Sequence, residues 1–476
     1  MTDIQRRKWL TLAVVGTAFF MTILDVAIVN VALPSIQIEL DIAESSLQWI
    51  LTGYAITFGG FLLLGGRAAD LLGRRRIFIV GLILFTLASL ACGLASSAGL
   101  LIGARIVQGL GAAIISPAAL SIVTTTFDEG PERNKALGIW GALGGSGAAA
   151  GVLFGGILTK YLGWEWIFFV NVPVGAAVLA ATRPFVRESH AELGHRRFDV
   201  AGAVTVTSSI ALLVYAISKA PDVGWATART IGLIAVAAAL FAAFIAVELR
   251  SKAPLMPFAI FRSRSVTGAN VVAFLFSAAM FANFFVLTLY VQQVLGWSAL
   301  KAGLTFLATA GTTVIWAGVS QALVTRVGPR PVLTIGLLIA GATMLWYTQI
   351  PVNGHFWPDL LPAYVVFAVG IAFSFIPLTI AAFAGVAPQL AGLASGLLNT
   401  TQQVGGAIGV AVAATIFSSR AESLIKSGHD PASAFTSGYH WAFVALAAFV
   451  FVAAAAGFVL LRGVEAPETE AVPVVA

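Results

Sequence analysis

Long apolar runs follow one another along almost the whole chain, and they constrain its fold more than any other feature. A helix needs roughly 20 mostly apolar residues to cross a membrane, and these runs reach that length. They are continuous rather than alternating, which argues against a β-barrel, and they lack the polar face of a soluble amphipathic helix. With 59% hydrophobic and 10% charged residues, we predict an all-α integral membrane protein.

Hydropathy predicts about fourteen membrane-spanning helices in this chain. We place the spans at 9–33, 47–66, 77–95, 98–123, 136–159, 165–185, 199–219, 229–249, 266–294, 302–324, 331–350, 359–385, 391–417 and 439–461. The charged segments 183–199 and 250–264 flank spans 7 and 8 and set this pair apart from the rest of the chain.

Lysine and arginine are concentrated in alternate loops, which predicts the orientation of the chain. Such residues are retained on the cytoplasmic side, so an even number of spans places both termini in the cytoplasm. The same bias explains a sequence pI of about 9.6 without a nucleic-acid partner. The first apolar run is too long for a cleaved signal peptide, and we therefore expect a multi-pass protein of the cell membrane, surrounded by the lipid bilayer.

Two charged residues lie deep inside apolar spans, away from the span ends: Asp25 in the first and Arg105 in the fourth. Charges inside a membrane are costly and usually face a bundle interior or a wet cavity, where they mark an ion pathway. Arginine stays protonated even when buried, and Asp25 is its natural counter-ion. We interpret Asp25 as the proton-handling group and Arg105 as its coupling partner. The alternative is a purely structural ion pair.

A short loop between spans 2 and 3 combines charges with glycines. Residues 66–76 read Gly-Arg-Ala-Ala-Asp-Leu-Leu-Gly-Arg-Arg-Arg, and we call this segment the signature loop. Glycine permits a tight turn, and Asp70 is suited to pair with an arginine or to meet a helix end. A simple cytoplasmic anchor would explain the arginines but not the aspartate.

The signature loop resembles that of the major facilitator superfamily. The matching positions are Gly66, Ala69, Asp70, Gly73, Arg74 and Arg75, whereas Ala68 and Leu71 depart from the pattern. The resemblance implies an architecture of two six-helix bundles. It also implies that the glycines, the aspartate and the two matching arginines of the loop act as a conformational latch between the bundles.

Further segments resemble the fourteen-helix drug:proton antiporters of that superfamily. They are residues 24–34, 101–113, 164–175 and 392–409, together with a glycine ridge in the fifth span that is similar to the antiporter motif, at Gly147, Gly151, Gly155 and Gly156. Val152 stands where that motif has proline. We therefore expect an N-terminal bundle in 1–185, an inserted helix pair with its linker in 186–250, and a C-terminal bundle in 251–476.

Parallel repeats of this kind place the substrate near the membrane midplane, between the bundles. Polar and aromatic side chains of the spans are therefore candidate substrate contacts, and each can equally form an interhelical hydrogen bond or face lipid. The candidates are Asn30, Tyr54, Asn270, Phe281, Asn283, Phe284, Tyr290, Gln293, Trp316, Asn399 and Gln403.

These observations predict a secondary transporter rather than an enzyme. The chain has no phosphate-binding loop in a suitable context, and one cysteine with five scattered histidines gives no metal-ligand spacing. We expect a monomer without cofactor or ATP, which uses the proton gradient to export small lipophilic or amphipathic compounds such as drugs and antibiotics. A proton-coupled or uniport carrier of one nutrient or metabolite is the alternative, and net inward flux would distinguish it.

Overall fold

The structure is a computed structural model that describes residues 3–42, 44–190, 199–251 and 254–462. Within these ranges every regular element is helical, which confirms the predicted all-α class. The α-helices are α1 (Asp3–Glu39), α2 (Glu44–Leu72), α3 (Arg74–Gly93), α4 (Ala98–Thr126), α5 (Pro131–Tyr161), α6 (Trp166–Phe169), α7 (Asn171–Phe185), α8 (Val200–Val223), α9 (Ala228–Arg250), α10 (Arg264–Leu289), α11 (Ala299–Val327), α12 (Pro329–Trp346), α13 (Leu361–Phe383), α14 (Ala391–Lys426) and α15 (Pro431–Leu460). Short 3-10 turns occupy Phe258–Arg262, Tyr347–Gln349 and Pro388–Leu390, and π-helical turns occupy Tyr290–Val294 and Phe356–Leu360.

Most predicted spans coincide with one of these helices. In the described part of the chain, 13 helical segments are long and apolar enough to cross a membrane, with α6 and α7 together forming one of them. Helix α5, at the predicted fifth span, is a further helix of 31 residues, roughly 46 Å long at the rise of an α-helix. The count of fourteen spans stays a prediction.

The sixth span is divided into α6 and α7, and this division positions a buried polar side chain. Pro173 lies in the first turn of α7. It has no backbone N–H to donate to the carbonyl of Phe169, so the regular ladder is interrupted there. Asn171 begins α7 at this point and is 1% exposed.

The helices before and after the inserted pair pack mainly among themselves. Helix α1 packs against α4, α5 and α7, while α2 and α3 pack against α4. Later in the chain, α10 packs against α13, α14 and α15, and α12 packs against α13 and α15. The early helices contact the late ones mainly through α5 with α11 and α2 with α14, and also through α4 with α14 and α5 with α13.

Glycines allow α5 to lie directly against α1. A Cβ atom on Gly151 would come within 2.7 Å of the Leu24 carbonyl oxygen, and one on Gly155 would lie 3.0 Å from that of Ile28. Gly147 packs against the Ile23 side chain in the same way. The ridge is therefore used for close helix approach. Gly156, the fourth predicted member, is also buried.

The inserted pair α8–α9 lies beside α2 and α14. Helix α8 contacts both of them as well as α9. Near one end of the pair the Trp49 and Tyr215 rings stack at 5.8 Å, and the indole N–H of Trp225 donates to the Thr415 hydroxyl at 2.6 Å. The pair therefore touches helices from both sides of the α2–α14 contact. The division at residues 185 and 250 stays a prediction.

Candidate functional site

A buried ion pair lies among α1, α4 and α7. The Nη1 atom of Arg105 on α4 donates to Oδ2 of Asp25 on α1 at 2.6 Å. The side chains of Arg105 and Asp25 are 1% and 0% exposed. The structure thus brings together the two charged residues that the sequence places in the first and fourth spans.

Three uncharged polar residues complete the hydrogen bonds of this pair. The side-chain amides of Gln108 and Asn171 donate to Oδ1 of Asp25 at 2.8 and 2.9 Å. Both amides also donate to the Ser89 hydroxyl, at 3.2 and 3.1 Å. We call Asp25, Ser89, Arg105, Gln108 and Asn171 the polar core. All five side chains are buried.

The remaining surface of the Arg105 guanidinium is also covered. Its Nη1 donates to Oε1 of Gln108 at 2.8 Å, and its Nε donates to the Ile50 carbonyl at 3.2 Å. The Tyr54 ring lies 4.2 Å from the guanidinium carbon, which is a cation–π contact. Tyr54, predicted as a substrate contact, therefore packs on Arg105 and is only 3% exposed.

Asp25 acts only as a hydrogen-bond acceptor in this arrangement. Every partner donates, so the carboxylate accepts three hydrogen bonds and has a cation as counter-ion. These contacts offset the cost of removing both charges from water. A proton on Asp25 would leave the charge of Arg105 without its counter-ion.

Sequence reasoning did not single out Ser89, Gln108 or Asn171 as site residues. The available signal was their position, because Gln108 follows Arg105 by one helical turn and Asn171 lies in the segment 164–175 that resembles the antiporter family. Uncharged polar residues are common in membrane helices, however, and their type alone does not distinguish a functional network from ordinary helix packing.

The signature loop docks on the first turn of α14. Asp70, which is 0% exposed, accepts hydrogen bonds from the backbone N–H groups of Gly392 at 3.0 Å and Leu393 at 2.9 Å. The residue before α14, Leu390, supplies no side-chain cap. Asp70 therefore caps a helix more than 300 residues away in sequence, and its charge meets the positive end of the helix dipole.

Arg74 reinforces this contact. Its Nη2 donates to Oδ1 of Asp70 at 2.7 Å and to the Pro388 carbonyl at 2.6 Å, while its Nε donates to the Ser121 hydroxyl at 2.6 Å. The side chain is 3% exposed. Arg74 thus connects α3 and α4 with the turn that precedes α14.

The two signature-loop glycines and Arg75 have separate roles. A Cβ atom on Gly66 would collide with the backbone carbonyl of Gly392, so the close approach of α2 to α14 requires glycine here. Gly73 has φ of 109°, which a residue with a side chain rarely adopts. Arg75 is partly exposed and lies 3.7 Å from the carboxylate of Glu188, measured from its Nε.

Several predicted substrate contacts are instead buried within helix packing. The Asn270 amide donates to the Val266 carbonyl, and its oxygen accepts from the Thr401 hydroxyl at 3.0 Å. Tyr290 donates to the Pro351 carbonyl at 2.6 Å. Asn283 is 0% exposed and has no hydrogen-bond partner among the described residues.

Other predicted contacts keep accessible surface. Phe281 and Trp316 are 42% and 37% exposed. The remaining members of this group are Asn30 and Gln293, which are exposed, and Phe284, Asn399 and Gln403, which are partly exposed. A role in substrate binding stays a prediction for each of them.

The described residues hold no cluster of three or more His, Cys, Asp or Glu side chains suited to a metal ion. Cys92 is a buried free thiol whose Sγ lies 3.6 Å from Oε1 of Gln108, beside the polar core.

Comparison with known proteins identifies the class. The model of the Major Facilitator Superfamily matches residues 15–410, so the chain belongs to this family and is a membrane transporter rather than an enzyme. It is 38% identical over 445 residues to the puromycin resistance protein pur8 of Streptomyces alboniger, covering 93% of this chain and 88% of that protein.

Two further proteins are similar to the chain, one in sequence and one in fold alone. The identity to the cephamycin export protein CmcT of Amycolatopsis lactamdurans is 38% over 441 residues, covering 92% of this chain and 89% of that protein. The crystal structure of the human organic anion transporter MFSD10 (TETRAN) shares the fold, with a TM-score of 0.68 at 16% identity over 97% of this chain and 100% of that one.

Proposed function

We propose that the chain is a proton-coupled antiporter that exports small hydrophobic or amphipathic compounds by alternating access. The proposal is supported mainly by the fully buried carboxylate of Asp25, which is paired with Arg105 within the polar core. A buried acid inside a membrane protein is the kind of group that relays protons. Relatives named for puromycin resistance and cephamycin export support efflux of antibiotic-like compounds.

The proton step follows from the contacts of Asp25. In the described arrangement the Asp25 side chain is paired with Arg105. A shift of α1 relative to α4 separates the pair and admits water, and the carboxylate then takes up a proton. Return of the guanidinium favours the ionised form and releases the proton. The proton and the substrate bind to different arrangements of the helices, so the transporter exchanges one for the other across the membrane.

The docked signature loop defines one of these arrangements. Asp70 and Arg74 hold the end of α2 and the start of α3 against α14. We assign this contact as the latch that keeps the cytoplasmic end closed. Release of the latch would let the early and late helices separate at that end, and substrate binding shifts the balance between the two states.

The substrate surface in this proposal is formed by residues that keep accessible surface. Asn30, Phe281, Asn399 and Gln403 combine amide groups with an apolar ring, which suits amphipathic compounds. Tyr54 is assigned to Arg105 instead, because it covers the guanidinium.

The proposed transporter uses the proton gradient and needs neither a cofactor nor ATP. Its partners are protons, small lipophilic substrates and the lipid bilayer. We place it as a monomer in the cell membrane with both termini in the cytoplasm. Residues 1–185 and 251–476 then form the two moving bundles, and 186–250 carry the inserted pair.

The test uses purified protein in liposomes with an imposed pH gradient. Lumenal pH is followed while puromycin or a cephamycin is added, for the wild type, Asp25→Asn and the control Asp128→Asn. Asp128 is a suitable control because its side chain is 94% exposed and pairs only at the surface with Lys8, where an ion pair contributes little.

The proposal predicts substrate-dependent proton movement in the wild type and in Asp128→Asn, and none in Asp25→Asn. Substrate movement without proton flux, unchanged by Asp25→Asn, would instead indicate a uniporter with a structural aspartate. Net inward movement of a single nutrient would overturn the export direction.

A further inference from the structure

The inserted pair α8–α9 ends in a buried carboxylate that neither the polar core nor the latch uses. Glu248 lies in the last turn of α9 and is 4% exposed. Its two oxygens accept hydrogen bonds from the backbone N–H groups of Leu255 and Met256, both at 3.0 Å. A buried carboxylate is costly unless it is hydrogen-bonded. These bonds satisfy it and also fold the linker between α9 and α10 back onto α9.

The same linker reaches the signature loop. Arg67 is 6% exposed, and its Nη2 donates to the Pro254 carbonyl at 3.2 Å. Its Nε and Nη1 are buried without a hydrogen-bond partner among the described residues. Asp70 and Glu248 are the carboxylates that act electrostatically on this guanidinium. Arg67 is therefore placed between the latch and the inserted pair.

The linker on the other side of the pair also meets the signature loop. The backbone N–H of Arg74 donates to the Ser189 carbonyl at 2.9 Å, and that of Arg75 donates to Oε1 of Glu188 at 3.1 Å. These are the first two N–H groups of α3, which its own flanking glycine does not cap. An acidic group at this helix start also offsets the arginines that follow.

From these contacts we propose that Glu248 is a positioning residue that couples the inserted pair α8–α9 to the latch through Arg67, with Glu188 performing the same role on the other linker. The proposal rests on the proposed role of the docked signature loop as the latch that keeps the cytoplasmic end closed. It assigns a function to the two additional helices: they stabilise the docked state from outside the two bundles.

The direction of the effect follows from the burial of Arg67. The guanidinium is buried in the docked arrangement, and its hydrogen-bond acceptor is the Pro254 carbonyl, next to Leu255, whose N–H donates to Glu248. Without Glu248 the linker loses two hydrogen bonds, and a buried cation loses a fixed partner. Separation of the helices would return that cation to water. Removing Glu248 therefore lowers the stability of the docked state relative to the separated one.

The test measures the distance between spin labels at two exposed positions near the ends of α2 and α11, Leu72→Cys and Val327→Cys, in a Cys92→Ser background. Leu72 and Val327 are 54% and 55% exposed, so labels there disturb little packing. Pulsed electron paramagnetic resonance gives the populations of short and long distances between the two labels. The measurement is made without substrate and without a pH gradient.

We expect Glu248→Ala to raise the ratio of long to short distances at least about fivefold, because the linker loses two hydrogen bonds. Glu248→Gln, which keeps one acceptor oxygen, should raise it less. Glu422→Ala should leave it unchanged, because that side chain is 67% exposed and pairs only with Lys426. Unchanged distances in Glu248→Ala, or an equal change in the Glu422→Ala control, would overturn the proposal.

A double variant tests the route of the coupling. In an Arg67→Gln background, Glu248→Ala should add little to the shift, because the connection is already broken. Fully additive shifts would overturn the role of Arg67. If Glu248→Ala does not fold, Glu188→Ala decides the question from the other linker, where a shift in the same direction supports the coupling and none contradicts it.

This measurement is independent of proton coupling. Absence of proton flux in wild-type liposomes would overturn the proposed antiport and leave the distance populations untouched. Normal flux that depends on Asp25, together with unchanged distances in the Glu248 and Glu188 variants, would overturn the coupling of the inserted pair alone.

Discussion

The described part of the chain contains two buried Asp–Arg pairs that have similar geometry and join different helices. Asp25–Arg105 and Asp70–Arg74 have N–O distances of 2.6 and 2.7 Å, and all four side chains are at most 3% exposed. The first pair joins α1 to α4, which lie in the same half of the chain. The second is local to α2 and α3, but its carboxylate also caps α14.

We infer from this difference that the partners of a buried ion pair, more than its geometry, indicate its function. The donors to Asp25 are all side chains, which can rearrange when a proton arrives. Asp70 accepts from two backbone N–H groups as well as from Arg74, so its bonds break only when α14 moves away. The first pair suits proton binding, and the second suits a latch.

The largest effect is expected when one charge of the first pair is removed. Asp25→Asn or Arg105→Met leaves a buried charge unpaired, which costs about 3–5 kcal/mol of stability. The double variant removes both charges and should recover much of this loss, measured by thermal unfolding in detergent. Substrate-coupled proton flux should be lost in all three. A double variant that still couples protons would show that the pair is structural only.

The second prediction distinguishes a change in the transport rate from a change in proton coupling. Asp70→Asn weakens the cap of α14 and the pair with Arg74, which should lower the transport rate roughly tenfold, given that caps and charged hydrogen bonds contribute about 1–3 kcal/mol. The number of protons exchanged per substrate should stay the same, unlike in Asp25→Asn. Parallel measurements of substrate and proton flux check this. A changed ratio would contradict the division between the two pairs.

These first two predictions concern residues that the sequence already identified, and the reason is energetic. A charge inside an apolar span is costly enough to need an explanation, so Asp25 and Arg105 were visible without a structure, as was Asp70 within its glycine pattern. The spans were visible too, because a membrane helix is long and continuously apolar. The interruption between α6 and α7 was not predicted, although Pro173 provides its cause.

The site contacts that the sequence did not predict depend on how the helices are rotated against one another. Hydropathy does not tell which face of a span meets a neighbour, so Tyr54 was predicted as a substrate contact although it lies on Arg105. Gln108 and Asn171 were overlooked for the same reason. The contact between Arg67 and Pro254 joins residues 187 positions apart, and no local pattern encodes it.

A moderate effect is expected at the closest backbone approach of the latch. Gly66→Ala places a methyl group against the Gly392 carbonyl, and such overpacking costs about 1–3 kcal/mol. The docked state should become less populated, as measured by the spin-label distances. Gly103→Ala is the matched control, because nothing lies within 4 Å of its Cβ position. Equal behaviour of the two variants would argue against a tight latch.

The smallest effect is expected within the polar core. Asn171→Ala removes one of the two amides that donate to Oδ1 of Asp25, while Gln108 remains. A net loss of about 1 kcal/mol should slow transport several-fold without abolishing proton coupling. The control is Thr17→Ala, since this exposed α1 residue bonds only within its own helix. Complete loss of coupling in Asn171→Ala would show that the amide itself is essential.

The central claim is that Asp25 exchanges a proton when substrate is transported. Infrared difference spectroscopy measures this directly when puromycin is added to wild-type protein and to Asp25→Asn at constant pH. We expect a substrate-dependent change in the protonated-carboxyl band of the wild type that is absent from Asp25→Asn. The same change in both proteins, or none in a wild type that binds puromycin, would contradict it.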